Sequence, residues 1–385
     1  MSGRTTTGVL AVTETVSWGI VYYGFTQFVP EMQALLHTSR AVIAGAFSLA
    51  LATQAAAAPV VGRLFDRYNP RWLLSIGAVG NTLGVLAWSQ VTSVAGFYAV
   101  WAWLGISMSL TLYDAAFTVV AKWFDGAARR RALTAVTLLA GLASFIFLPI
   151  EAALAEAHGV RQALVILAIA LGAITVPLHA FGVSRPPQAT VPRAARTRVT
   201  SSSTFRYLAA AAVGSSFVAS GLAIHQVSYF REHGFTAKAA AGLTGILGAM
   251  QLVGRLGFAP LMRWAPRRIV TTIVYALSAA TLGMLAATSN RNVIWVFVVA
   301  YGSARGMITL LRATLVVELF GPERFGAVSG TVSGLSGAAQ ATAPLAVGLL
   351  YDQFHGYGPL LWMLFVVALA AALCAHRIER VARTE

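Results

Sequence analysis

The sequence is short of charge. Only 11% of its 385 residues are Asp, Glu, Lys or Arg, against about 25% in soluble domains, and that scarcity excludes a water-soluble surface. A single cysteine, Cys374, excludes an intramolecular disulfide, and no Cys/His spacing suits a metal. The scattered histidines and the lone thiol offer no nucleophile, base or metal constellation, which argues against an enzyme. No phosphate-cradling glycine motif is present, so nucleotide coupling and bound cofactors are not expected. Acidic residues number 13 against 28 basic ones, a net charge of +15. Such an excess could indicate nucleic acid, and the placement of the arginines decides against it.

What the chain has in quantity is apolar sequence: 57% hydrophobic residues and a mean hydropathy of +0.72. Twelve runs of membrane-spanning length are expected, at 8–36, 41–64, 71–90, 96–124, 132–157, 160–183, 204–230, 237–262, 268–288, 292–319, 326–352 and 357–376. In lipid each must be a helix, because lipid offers backbone amides no partner. The first run carries Glu14 and Glu31 and exceeds a signal peptide's apolar region, so it reads as a span. The basic residues alternate by loop. Arg63, Arg67 and Arg71, then Arg129, Arg130 and Arg131, then Arg185 to Arg206, and finally Arg263, Arg267, Arg268, Arg324, Arg377, Arg380 and Arg383 share one side. The opposite loops hold Arg40, Arg161, Arg231, Lys238 and Arg291. The positive-inside rule then puts both termini in the cytoplasm of a bacterial inner-membrane protein whose loop arginines meet lipid headgroups.

Residues 185–205, RPPQATVPRAARTRVTSSSTF, are rich in Pro, Ser, Thr and Arg and read as a linker. A shift of 196 positions superposes Pro70-Arg71 on Pro266-Arg267, Phe124 on Phe320 and Gly141 on Gly337. The expected fold is therefore all-α, with two pseudo-symmetric six-helix bundles, 1–184 and 206–385, related by a parallel repeat and holding a substrate at their interface.

Three arginines lie deep in apolar runs: Arg255 in GAMQLVGRLGFAP, with Arg305 and Arg312 in YGSARGMITLLRATL. A guanidinium keeps its charge and costs about 2.5 to 3.5 kcal/mol at mid-membrane on insertion scales, so such residues face a polar interior. Arg255 is expected about 11 Å from the cytoplasmic end, with Gln251 one turn away to orient it. Its planar fork suits a carboxylate. Arg305 and Arg312 share a face of the tenth run, opposite Asp114 of the fourth, and Asp114 and Arg312 are expected to pair in one state only. Asp114 and Glu31 are candidate proton carriers, since an apolar site favours a neutral carboxyl. Glu14 and Glu318 read as solvated ends. Gln54, rare at lipid depth, is a candidate cavity-lining residue. Trp88, Trp101, Trp103 and Trp295 read as interface anchors, and Pro149 as a kink in the fifth run.

The loop GRLFDRYNPRW resembles the signature of the major facilitator superfamily, matched at Gly62, Asp66, Arg67 and Arg71. The resemblance implies a gating role for Asp66, Arg67 and Arg71 on the cytoplasmic side, and it implies that Tyr22, Tyr113 and Tyr301, in the first, fourth and tenth runs, line the cavity. YGFTQFVPEM, VVAKWFDGAARRRALTAVTLLAG and MQLVGRLGFAP further resemble the monocarboxylate transporter and oxalate/formate antiporter branch. That likeness implies carboxylate binding at Arg255, with Gln251 where the branch has an acid. Together these readings describe a monomeric secondary transporter moving a small organic anion by alternating access with proton coupling. The other reading is an efflux antiporter for a drug, metalloid or other small toxic compound.

Overall fold

The computed structural model describes residues 3–184, 202–288, 290–354 and 356–381. Among them there is no strand. The first expected run is broken: α1 (Gly3–Ser17) gives way to a π-helical stretch Trp18–Tyr23, then α2 (Gly24–Gln27) and α3 (Val29–Leu36). There follow α4 (Arg40–Arg67), α5 (Pro70–Ser89), α6 (Val94–Thr111), α7 (Tyr113–Trp123), α8 (Gly126–Ala140) and α9 (Ala143–Gly182). The second half contains α10 (Ser203–Glu232), α11 (Ala237–Trp264), α12 (Arg267–Ala287), α13 (Arg291–Phe320), α14 (Phe325–Phe354) and α15 (Gly358–Val381).

Starts follow local chemistry. Ser39, Ser93, Ser202 and Thr236 precede α4, α6, α10 and α11, and each side chain accepts a backbone N–H of the first turn. Asn69 does the same for α5, with Pro70 at its first position.

Nine stretches among the described residues are long and apolar enough to cross a membrane. The other three expected runs are accounted for. Gly126–Gly182 holds two spans, separated where Gly159 turns to φ 75° and ψ 159°, a left-handed conformation that suits glycine. The first run is split into short pieces, and α14 is diluted by glycine, serine, threonine and glutamine. Pro149, expected to kink the fifth run, sits inside α9, and that run is divided at Gly141–Leu142 between α8 and α9.

The described chain divides into two compact units, Met1–Val191 with Gly321–Gly334, and Pro192–Phe320 with Leu335–Glu385. Of the expected linker, 185–201 lie outside the described residues. Internal pairings repeat. In unit 1, α4 packs on α6, α5 on α6 and α9, and α1 on α9; in unit 2, α11 packs on α13, α12 on α13 and α15, and α10 on α15.

The repeat reaches single residues. Gly105 lies against the Ala50 carbonyl and Thr53, and Gly302 against the Leu247 carbonyl and Met250. Each position is displaced by 197 (302−105, 247−50, 250−53), one more than the loop-end offset. At both crossings a side chain would separate the backbones, so glycine sets the helix spacing.

Aromatic packing corrects one expectation. Trp88 and Trp101 are fully buried beside Phe25, Phe28, Phe47 and Phe97, and Trp88 Nε1 donates to Met32 Sδ at 3.2 Å. They are core residues of unit 1, where the large ring contributes by burial. Trp103 and Trp295 are half exposed.

Candidate functional site

Two departures from regular helix meet in unit 1. The first span is π-helical over Trp18–Tyr23, with Gly24 N–H donating to the Gly19 carbonyl five residues back. The fourth span is interrupted at Leu112, whose φ of −80° and ψ of −175° separate α6 from α7. Irregular backbone at membrane depth survives only inside protein or beside a polar cavity, and π-bulges recur at functional sites. The Trp18 ring bridges the two breaks, lying 4.6 Å from Tyr22 and 4.9 Å from Tyr113. Tyr22 also packs edge-on against Phe47 at 5.1 Å.

Acids cluster there. Asp114 is the second residue of α7, where backbone N–H groups favour an anion. Its oxygens accept from Ser329 Oγ at 3.0 Å and Ser333 Oγ at 2.5 Å. Glu14, expected at a solvated end, is instead 1% exposed; its Oε2 accepts the Trp18 indole N–H at 2.9 Å, and it lies within electrostatic range of Asp114. It is buried because α1 packs against α8 and α9.

At the end of α4, Asp66 accepts from Gly326 N–H at 3.0 Å and Ala327 N–H at 2.7 Å, with Lys122 Nζ at 3.4 Å. These amides belong to the first turn of α14, where no intrahelical partner exists. A carboxylate 260 positions earlier therefore caps a helix. The approach depends on glycine: Gly62 lies against Gly326 and Gly330, and a Cβ at Gly62 would strike the Gly326 carbonyl. Arg71 lies over the rings of Trp72 and Phe181, at 5.4 and 5.7 Å, and Arg67 is exposed. Lys122, whose Nζ also donates to the Phe65 carbonyl at 2.6 Å, was not singled out by sequence. A lone lysine at the end of an apolar run gives no sign of its partner.

Unit 2 gathers the arginines. Arg255 on α11 is 7% exposed, and Arg305 on α13 lies within electrostatic range of both Arg255 and Arg312. Arg305 also donates to Ser215 Oγ at 3.4 Å. The crossing of α11 and α13 brings them together, because Gly254 lies against Ser303 and Gly306 against the Gln251 backbone. Gln251 itself is half-buried. Tyr301 is 3% exposed, stacks on Phe297 at 4.9 Å and is in range of Arg305. Tyr275 on α12, buried and in range of Arg305 and Arg312, is an additional residue the sequence did not mark.

Other expected residues stand apart from these clusters. Gln54 is half-buried on α4, and Glu31 is in the first turn of α3. Glu318 forms an ion pair with Arg267 at 2.6 Å, each about one-fifth exposed.

Apolar helices with charges enclosed among them define a multi-pass membrane protein with a polar interior. A model of the Major Facilitator Superfamily matches residues 15–338, and the chain belongs to that family: it is a membrane transporter and not an enzyme. It is 26% identical over 325 residues to Monocarboxylate transporter 13 of Bos taurus, covering 78% of this chain and 72% of that protein. The Oxalate:formate antiporter of Oxalobacter formigenes is 28% identical over 170 residues, 44% of this chain and 40% of that one. The crystal structure of the E. coli fucose:proton symporter matches at a TM-score of 0.75 with 15% identity, covering 100% of this chain and 99% of that chain, a likeness of fold.

Proposed function

We propose that the chain transports a small, monocarboxylate-like organic anion across the bacterial inner membrane by alternating access, coupled to protons. The observation that carries this reading is the buried Arg255 with Arg305 in range of it and of Arg312. Three guanidinium groups in apolar helices repel one another, and a bound carboxylate offsets that repulsion with paired hydrogen bonds. Arg255, Arg305 and Arg312 hold the anion, Gln251 orients Arg255, and Tyr22, Tyr113, Tyr301 and Gln54 supply walls and hydroxyls. Asp114 and Glu31 carry protons. Asp66, Arg67 and Arg71 gate the cytoplasmic side, both termini lie there, and the monomer is the working unit. The names of the two carboxylate-carrying relatives support the substrate class, and the fucose:proton symporter's name supports the coupling.

Efflux of a cationic compound is the second reading. The faces of Trp18, Tyr22 and Tyr113 beside Glu14 and Asp114 favour it, since aromatic faces and carboxylates attract cations. Uptake into proteoliposomes of labelled lactate, pyruvate, formate, oxalate and larger aromatic acids, with and without an inward proton gradient, separates the two. Saturable, gradient-stimulated uptake of an acid supports the anion reading, and absence of uptake for every acid refutes it.

A further inference from the structure

The first span and α9 enclose a carboxyl for which the roles above have no use. Glu151 is fully buried, and neither of its oxygens meets a hydrogen-bond partner. Its position is built by glycine. In a π-helix residues five apart lie above one another, and in an α-helix residues four apart do so approximately. Gly19 and Gly24, five apart along the π-helical stretch, face Phe147 and Glu151, four apart on α9. A Cβ at Gly24 would come within 2.9 Å of Glu151 Oε1, and one at Gly19 would strike the Phe147 ring. The π-helical stretch thus opens a slot for one phenyl ring and one carboxyl. The Gly24 N–H cannot serve the carboxyl, since it donates to the Gly19 carbonyl.

Charged and titratable groups on the packed elements are engaged elsewhere or exposed. On α1, Arg4 is exposed and Glu14 accepts from Trp18; on the π-helical stretch, Tyr22 and Tyr23 pack with Trp18; on α5, Arg71 lies over Trp72 and Phe181; α2 carries none. On α9 itself, Glu156 and His158 are exposed, Arg161 donates to the Ser89 and Val91 carbonyls, and His179 contacts Thr13. A carboxylate without donors at such a place carries a large desolvation cost that the neutral acid avoids.

We propose that Glu151 is a proton-binding site of the transport cycle, occupied in this conformation and emptied when the slot against Gly24 opens. The proposal rests on the reading that transport is proton-coupled. Gly24 lies ten residues beyond Glu14, roughly 15 Å along the span at helical rise. Glu151 therefore adds a level for the proton between Glu14, beside Asp114, and Glu31.

Infrared difference spectroscopy on the reconstituted full chain tests this with the proton itself as probe, comparing wild type with Glu151→Gln over a pH titration in H2O and D2O. The expected result is a deuterium-sensitive carbonyl stretch of a protonated carboxyl that titrates in the wild type and is missing from Glu151→Gln. Identical carboxyl bands in the two proteins would overturn the proposal. If Glu151→Gln does not fold, Glu151→Asp replaces it: a shifted band supports the assignment, and an unshifted one overturns it. Failure of the proton-coupled reading shows separately, as wild-type uptake that a proton gradient does not stimulate, and leaves the infrared result standing.

Discussion

Replacing Asp66 by alanine should release the start of α14. The carboxylate accepts two backbone N–H bonds, from Gly326 and Ala327, and faces Lys122. Bonds to a charged acceptor contribute about 1.5 to 3 kcal/mol each, and loss of a helix-start acceptor typically costs about 1 kcal/mol. Asp66 and Lys122 are 13% and 16% exposed, so water recovers part of the loss. A net cost of about 2 to 4 kcal/mol follows, which at 1.4 kcal/mol per tenfold speeds local opening roughly 30- to 700-fold. Asparagine keeps an acceptor oxygen and loses only the charge, a cost of about 1 kcal/mol, or roughly fivefold. Hydrogen–deuterium exchange resolved at Gly326 and Ala327 reads this directly. Exchange in folded Asp66→Ala within twofold of wild type would refute the capping role.

Three further outcomes are expected. Gly306→Val puts a side chain against the Gln251 backbone and should cost about 3 kcal/mol or more, whereas Gly257→Ala, whose Cβ would meet only the Met307 methyl at 3.4 Å, should be near neutral; folded yield and thermal unfolding in detergent compare the two. Arg161→Ala loses bonds of 2.9 Å to the Ser89 and Val91 carbonyls that close α5 and should destabilise by about 2 kcal/mol, with Arg161→Lys recovering about half in the same assay. Removing both hydroxyls on Asp114, by Ser329→Ala with Ser333→Ala, should lower Tm by several degrees at about 2 to 4 °C per kcal/mol, and an unchanged Tm would show that these bonds contribute nothing.

Helices, spans and buried arginines were legible because lipid leaves the backbone one solution and makes each interior charge conspicuous. Arg255 and Arg305 stand out in apolar sequence, and their association follows from glycines on α11 and α13. The π-helical stretch was not legible, since WGIVYYG reads equally well as α-helix. The break beside Asp114 left a faint sign. From Gly105 to Phe124 the chain has 19 steps, and from Gly302 to Phe320 it has 18, so the first half carries one extra residue where α6 gives way to α7. Glu151 stands two residues after Pro149 in an apolar run, as conspicuous as Asp114, but nothing in the sequence marks Gly24 as the residue it faces. Partners such as Ser329, Ser333 and Lys122 are common residues whose roles depend on tertiary approach.

Arg255 is the residue on which the carboxylate site depends, and its substitution gives the most direct test. Wild type, Arg255→Ala and Arg255→Lys, reconstituted at equal density, are compared for initial uptake of an acid that the wild type accumulates. The expected result is loss of more than about 100-fold in Arg255→Ala, the factor for an unpaired buried carboxylate at about 3 kcal/mol, with Arg255→Lys failing to restore it because an ammonium lacks the planar fork. Uptake by Arg255→Ala within twofold of wild type would contradict the carboxylate site.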